Sequence, residues 1–149
     1  MNAGPEYISL IDGMTGKELD WKNFIARGSS SDWGDDYGHR ANKFFFGAPY
    51  LDGKKPSLFI GRGIYTQTKM QTYDVINKKL VAKWFWESGG WSNLQQGKWD
   101  ATPKGYCGQG YHNYTIADVD DDGKDEINWG SMTVDDDGKP LYSTELGHG

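Results

Sequence analysis

The most informative segment of the chain reads Val134-Asp135-Asp136-Asp137-Gly138-Lys139-Pro140-Leu141: an apolar residue and an aspartate, a turn, and then a lysine followed two positions later by leucine. The same order occurs in Ile11-Asp12-Gly13-Met14-Thr15-Gly16-Lys17-Glu18-Leu19 and in Tyr73-Asp74-Val75-Ile76-Asn77-Lys78-Lys79-Leu80. Each copy predicts a β-hairpin, because Asp, Gly and Asn favour tight turns between two apolar strands. Chance is the alternative, since Asp-Gly turns are common, but three copies at a similar spacing make it the weaker interpretation.

A longer repeat surrounds the second and third hairpins. Residues Tyr50–Gly61 and Val119–Gly130 both place an acidic turn before an apolar strand that ends in glycine. Together with the hairpins they give a unit of about sixty residues, in the order acidic turn, strand, glycine, strand, acidic hairpin, strand. Units of this length are typical of propeller blades and solenoids, and propellers close with about four to eight blades.

The repeat therefore predicts an all-β chain that forms a partial β-propeller of roughly two and a half blades over residues 1–149. We place the end of one blade at about residues 1–30, a full blade at about 40–90 and most of a further blade at about 106–149. On this interpretation the chain is a fragment, and its end blades lack their neighbours.

The composition agrees with a β-rich chain and limits its partners. The 149 residues include 21 glycines, 7 tryptophans and 9 tyrosines, a mixture that suits short strands and tight turns. The formal net charge of -5 argues against nucleic acid and against an anionic membrane as partners. No apolar run approaches the length of a membrane span, and Met1–Glu6 has no signal-peptide character. Cys107 is the single cysteine, so no internal disulfide is expected.

The segment Asp118-Val119-Asp120-Asp121-Asp122-Gly123-Lys124-Asp125-Glu126 predicts a calcium-binding loop. Carboxylates at its first, third, fifth and ninth positions, with the main-chain carbonyl of the seventh, supply the hard oxygen ligands that calcium prefers. The proposed ligands are Asp118, Asp120, Asp122, Lys124 through its carbonyl, and Glu126. Gly123 permits the sharp turn that folds such a loop around an ion. The alternative is a solvated acidic turn, which rarely needs three alternating aspartates. Asp135–Asp137, where the acids are consecutive, is better interpreted as an ordinary hairpin turn.

Three further side chains are candidate site residues. His112 and His148 are each embedded in glycine-rich sequence, where side chains project without crowding. Arg62 lies between Gly61 and Gly63 at a predicted strand end, and its planar guanidinium suits carboxylate recognition. Structural roles are open for all three: a histidine among aromatic residues is often structural, and Arg62 could pair with an acidic turn.

Several segments together resemble the catalytic domain of rhamnogalacturonan lyases of polysaccharide lyase family eleven. The resemblance covers nearly the whole chain from about Gly4 and is carried by Trp33–Arg40, Ala48–Gly53, Pro56–Gly63, Gly108–Asn113, Ala117–Asp120 and Leu141–Gly149. It implies an eight-bladed β-propeller that binds several calcium ions. It also implies endo-cleavage of the rhamnosyl–galacturonate backbone of pectin by β-elimination.

The resemblance also implies roles for particular residues. His112 and His148 match the histidines of two family motifs in the active-site calcium region, so they are expected to be catalytic and metal-binding. Arg62 is expected to be catalytic and to bind substrate at or near the cleft, and Asn113 is expected to bind substrate. The implied partners are rhamnogalacturonan I and the remaining blades of a longer parent chain. That parent is expected to be extracellular or periplasmic, and the isolated chain to have little or no activity.

Two other classes of function compete with the lyase interpretation. A non-catalytic, calcium-stabilised propeller module could bind carbohydrate through exposed Trp and Tyr side chains. An integrin-like adhesion repeat shares the Asp-x-Asp-x-Asp-Gly loop but does not need the histidine motifs. Gln109–Asn113 and Gly147–Gly149 favour the lyase over both.

Overall fold

The computed structural model describes residues 4–35, 37–90 and 106–147, which form three antiparallel β-sheets. The strands are β1 (Tyr7–Ile11), β2 (Glu18–Asn23), β3 (Phe44–Gly47), β4 (Leu58–Arg62), β5 (Lys69–Ile76), β6 (Lys79–Glu87), β7 (Tyr114–Ala117), β8 (Glu126–Trp129), β9 (Met132–Val134) and β10 (Pro140–Ser143). A 3₁₀ turn at Ser30–Trp33 precedes β3. The prediction of an all-β chain is confirmed.

Each sheet is built from strands that are consecutive along the chain. The first sheet is the hairpin β1–β2, the second is the meander β3-β4-β5-β6 and the third is the meander β7-β8-β9-β10. All three predicted hairpins are present, as the antiparallel pairs β1–β2, β5–β6 and β9–β10. The repeat read from the sequence did not contain β3, which adds a first strand before the acidic turn of the second sheet.

The hairpin turns follow from their residues. Asn77 and Lys78 both have positive φ angles, of 50° and 63°, as the two-residue turn between right-twisted strands requires. In the first hairpin the Asp12 carboxylate accepts hydrogen bonds from the backbone of Thr15 at 2.9 Å and of Met14 at 3.1 Å. In the third hairpin Gly138, at φ 82°, closes the turn by donating to the Asp135 carbonyl at 2.9 Å.

The second sheet is covered on both faces. Because side chains alternate along a strand, Phe59 of β4 packs toward the third sheet with Trp129 and Ile127, while Ile60 packs toward the first sheet with Phe24 and Leu80. The glycine of the repeat has a packing role, since a Cβ at Gly61 would lie 2.5 Å from the Trp129 ring. The sheets therefore stack face to face in chain order.

Loop contacts fix the position of the third sheet against the second. The Tyr65 backbone donates to the Gly110 carbonyl at 2.8 Å, and the Gly108 backbone donates to the Thr66 carbonyl at 2.9 Å. These bonds hold the loop after β4 against the loop before β7. Within the described ranges, no helix has the length and apolar character needed to cross a membrane.

Candidate calcium site and loop rim

The acidic loop Asp118–Glu126 connects β7 to β8 and turns sharply. The Asp118 carboxylate accepts hydrogen bonds from the backbone of Gly123 at 2.9 Å and of Asp122 at 3.2 Å. Gly123 has a φ of 88°, in the left-handed region that glycine adopts without strain. This turn places carboxylate oxygens of Asp118, Asp120 and Asp122 within 4.8 Å of one another. The fold thus brings three predicted calcium ligands together.

Glu126, the last predicted carboxylate ligand, is fully buried at the start of β8. Its Oε2 accepts a hydrogen bond from the Val119 backbone at 2.7 Å, whereas no hydrogen bond to Oε1 is found in the described part of the chain. Burial raises the pKa of Glu126, and the nearby charges of Asp120, Asp135 and Asp118 add to this effect. A buried carboxylate oxygen without a donor is unfavourable, and a bound cation would supply the missing partner.

A residue from the next hairpin joins this site. Ligand oxygens of Asp122, Glu126 and Asp136 lie within 4.8 Å of one another. The Lys124 ammonium lies 2.8 Å from Asp122 Oδ2 and 3.2 Å from Asp136 Oδ1. Hydrogen bonding to Asp122 raises the pKa of Lys124, and the same bond lowers the pKa of Asp122. Asp135–Asp137 forms the predicted hairpin turn, but no sequence pattern indicates that Asp136 faces the acidic loop.

The donor set fits calcium. Calcium takes six to eight hard oxygen ligands, and two clusters that share Asp122 contain five carboxylates: Asp118, Asp120, Asp122, Glu126 and Asp136. His112 is not among the groups that could share an ion in residues 4–35, 37–90 and 106–147. The carbonyl of Lys124 as a ligand stays a prediction.

Replacing Glu126 by glutamine is expected to stabilise the calcium-free chain in a pH-dependent way. The pKa of Glu126 in the folded chain is raised above its ordinary value of 4.5. Protonated Glu126 therefore stabilises the fold fully below pH 4.5, and this stabilisation is lost as the pH rises through the folded-state pKa. In chelator, Glu126→Gln should therefore match the wild type at low pH and exceed its unfolding free energy at neutral pH. Urea unfolding at several pH values measures this difference.

Asp137→Asn is the control with the opposite sign. Hydrogen bonding to Lys139 lowers the pKa of Asp137 from 3.8, so its stabilising contribution is present above that value and is lost as the pH falls. This variant should be less stable than the wild type at neutral pH. If Glu126→Gln is less stable than the wild type at neutral pH in chelator, the claim that the buried Glu126 carboxylate destabilises the calcium-free chain is wrong.

A second group of candidate residues lies on three loops that touch one another, residues 37–40, 63–68 and 106–113, here called the loop rim. His112 is exposed there, and its Nε2 is hydrogen-bonded to the Tyr65 hydroxyl. The rings of Tyr65 and Tyr111 both meet the His112 ring edge to face, each with a centroid distance of 5.1 Å. The contact engages Nε2 and leaves Nδ1, and metal binding by His112 stays a prediction.

Arg40 joins the loop rim from the segment before β3. Its guanidinium donates to the Thr66 hydroxyl at 2.5 Å and lies 5.9 Å from the centroid of the Tyr65 ring. Asp35 orients this segment by accepting a hydrogen bond from the Arg40 backbone at 2.8 Å. The rim thus carries cationic and aromatic side chains next to His112, a combination suited to carbohydrate bearing carboxylates.

Asn113 follows His112 and is exposed. Its side-chain oxygen accepts a hydrogen bond from the Tyr114 backbone at 3.0 Å. With Tyr111, Thr115 and Asn128 it lines a shallow cavity of about 230 Å³. This position is open to a ligand, and substrate binding by Asn113 stays a prediction.

The structure gives Arg62 a different setting from the expected one. Arg62 is fully buried; it donates to the Ala41 carbonyl at 2.7 Å, pairs with Glu6, and lies against the rings of Phe24 and Phe44. This burial does not support the predicted catalytic and substrate-binding contacts. It corresponds to the pairing alternative, although the partner Glu6 lies before β1 and not in an acidic turn.

His148 is expected to be catalytic and metal-binding. It lies outside the described residues, so both roles stay predictions. Conversely, Tyr65 was not found by sequence reasoning. Its φ of 64° lies in the left-handed region, which is uncommon for residues other than glycine and is not predicted for a tyrosine.

Comparison with known proteins defines the class. The family described as rhamnogalacturonan lyase family 11, C-terminal domain, matches residues 1–149. The chain belongs to this lyase family.

Named relatives agree. The chain is 49% identical over 148 residues to rhamnogalacturonan endolyase YesW of Bacillus subtilis (strain 168), and 46% identical over 148 residues to rhamnogalacturonan exolyase YesX of the same organism. Each match covers 99% of the chain but 22% of the relative. The solved structure of Bacillus licheniformis rhamnogalacturonan lyase PL11 has 47% identity and a TM-score of 0.85, over 99% of this chain and 24% of that one. The chain therefore spans about a fifth of the length of its curated relatives.

Proposed function

We propose that the chain is part of a calcium-dependent rhamnogalacturonan lyase that cleaves the pectin backbone by β-elimination. The observation that carries the proposal is the match along the whole chain to proteins named rhamnogalacturonan lyases. The polymeric substrate favours an extracellular or periplasmic location for the full protein.

The loop rim supplies groups that such a reaction needs. The C5 proton of a uronate is weakly acidic, and positive groups near its carboxylate stabilise the charge that develops when a base removes the proton. A calcium ion bound at the cleft would supply such charge. In this chain Arg40 contributes a cation, and Tyr65 holds the exposed His112 ring in one orientation. His112 is thereby placed to accept or donate a proton, or to bind a sugar hydroxyl.

We assign the acidic loop a structural role within the same proposal. Asp125, inside the loop, accepts a hydrogen bond from the Tyr50 backbone at 2.7 Å, and its own backbone donates to the Tyr50 carbonyl at 3.2 Å. A calcium ion held by Asp118, Asp120, Asp122 and Glu126 would therefore fasten the third sheet to the turn before β4. Metal of this kind stabilises a fold without taking part in the reaction.

We further propose that the three sheets are consecutive blades of a β-propeller, with eight blades as the family resemblance implies. Two stacked four-stranded meanders support this arrangement. β1–β2 carries the same hairpin pattern as β5–β6, so it corresponds to the outer half of a blade. An apolar groove of about 570 Å³ between β1 and the exposed rings of Phe44 and Phe46 is where further strands of a longer chain would lie.

Binding of substrate at the loop rim can be tested on the chain itself. Oligosaccharides of alternating rhamnose and galacturonate are expected to shift amide NMR signals of residues 37–40, 63–68 and 110–113. His112→Ala should weaken this binding several-fold, because it removes a polar contact from the rim. Trp21→Ala, which removes an exposed aromatic side chain from β2, is the matched control.

Binding and cleavage distinguish the candidate functions. The isolated chain should release little or no unsaturated uronate, since a propeller cleft is formed by loops from several blades. Oligosaccharide shifts that spare the loop rim, or that His112→Ala leaves unchanged, would contradict the proposed site. Strong ultraviolet-absorbing product from the isolated chain would contradict the need for further blades.

A further inference from the structure

Lys124 occupies an unusual place in the acidic loop. Its ammonium bridges Asp122, at 2.8 Å, and Asp136 of the β9–β10 turn, at 3.2 Å. The same two carboxylates share a cluster with Glu126, whose ligand oxygens lie within 4.8 Å of theirs. A cationic side chain thus lies where the acidic loop and the neighbouring turn meet.

The buried glutamate lies on the opposite side of the cluster from Lys124. Glu126 is fully buried, and no partner of its Oε1 is found among the residues that the structure describes. Lys124 bonds Asp122 and Asp136 instead, so it neutralises the exposed side of the cluster and leaves the buried side uncompensated.

We propose that Lys124 is a tethered counter-ion that competes with calcium for the Asp122 carboxylate and so sets the calcium affinity of the loop. The inference rests on the proposed calcium site. A divalent ion bound by Asp122 would lie close to the Lys124 ammonium, and the two cations would repel each other at such a distance. The ammonium therefore opposes calcium binding while it contacts two carboxylates of the cluster, Asp122 and Asp136.

This competition has two consequences. Without calcium, the ammonium offsets repulsion among the clustered carboxylates and stabilises the loop. With calcium, the same positive charge opposes binding. A neutral side chain at position 124 should therefore weaken the calcium-free fold and strengthen calcium binding, whereas a purely structural lysine would do only the first.

Lys124→Met tests the inference, with Lys139→Met as its matched control. Lys139 forms the equivalent pair with Asp137 at 2.5 Å, but it lies outside the cluster with Glu126. In calorimetric titration, Lys124→Met should bind calcium about fivefold more tightly than the wild type, the scale of one charge pair, while Lys139→Met should bind as the wild type does. In chelator, Lys124→Met should melt at a lower temperature than Lys139→Met. Lys124→Gln, with a polar side chain, is measured alongside in case the methionine variant does not fold.

The outcomes distinguish failure of the lysine competition from failure of the calcium site. If the wild type binds calcium and the position-124 variants bind it no more tightly than Lys139→Met, the competition is refuted and the calcium site stands. If the wild type binds no calcium, the site and the competition are both refuted. The tethered counter-ion is supported if Lys124→Met and Lys124→Gln bind calcium more tightly than both the wild type and Lys139→Met.

Discussion

Excess calcium is expected to raise the melting temperature of the chelator-treated chain by about 5–10 °C. A ligand at a hundred times its dissociation constant adds about 2.7 kcal/mol to the unfolding free energy, and about 2–4 °C follows per kcal/mol for a chain of this size. The loop supports so large an effect because Asp118, Asp120 and Asp122 converge, and because one oxygen of buried Glu126 has no hydrogen-bond partner among the described residues. Asp120→Ala should remove most of the shift, since it deletes the central one of the three.

Asp137→Ala is the appropriate control for this measurement. Asp137 is acidic and close in sequence, but it pairs with Lys139 and is not part of either cluster. Asp136 is unsuitable, because it contacts Lys124 at the site. The Asp137→Ala chain should keep its calcium-dependent shift. Equal shifts for Asp120→Ala and Asp137→Ala would show that calcium acts elsewhere.

Arg62→Ala is expected to destabilise the chain by about 3 kcal/mol, the usual effect of truncating a large and fully buried side chain to alanine. The guanidinium is fully buried between two phenylalanine rings and joins three segments: Glu6 before β1, Ala41 before β3, and β4 itself. Its removal would leave a cavity and would take away the partner of Glu6 Oε2, while Arg27 still pairs with Glu6 Oε1. Denaturant unfolding of the two proteins under identical calcium conditions measures the difference.

Arg27→Ala is the matched control for Arg62. Arg27 pairs with the same Glu6 carboxylate at 2.6 Å, but its side chain is 19% exposed. Partly exposed pairs contribute at most about 1 kcal/mol, so Arg27→Ala should be much milder. If Arg62→Ala unfolds like the wild type while oligosaccharide binding is lost, Arg62 would be a substrate-binding residue as first expected.

Local features were predictable from the sequence. The three hairpins depend on residues within a few positions of each turn, as the Asp12 and Asn77 turns illustrate. The convergence of the acidic loop is likewise local, because the spacing of Asp118, Asp120 and Asp122 brings their carboxylates together once Gly123 turns the chain.

Features that depend on distant segments were not predictable. Asp136 reaches Lys124 only because β8 pairs with β9 in a register that opposes Ile127 and Val134. The family resemblance implies a cleft position for Arg62, yet the side chain is buried, and the neighbouring Gly61 is small to admit the Trp129 ring. The Tyr65 hydroxyl is hydrogen-bonded to His112, 47 positions away, and no pattern in either segment predicts this contact.

Calorimetric titration of calcium into the chelator-treated chain tests the central claim, that the Asp118–Glu126 loop is a calcium site. The wild type is expected to show saturable binding that Asp120→Ala and Glu126→Gln each abolish or strongly weaken, and that Asp137→Ala retains. Absence of saturable binding by the wild type, or undiminished binding by both Asp120→Ala and Glu126→Gln, would contradict it.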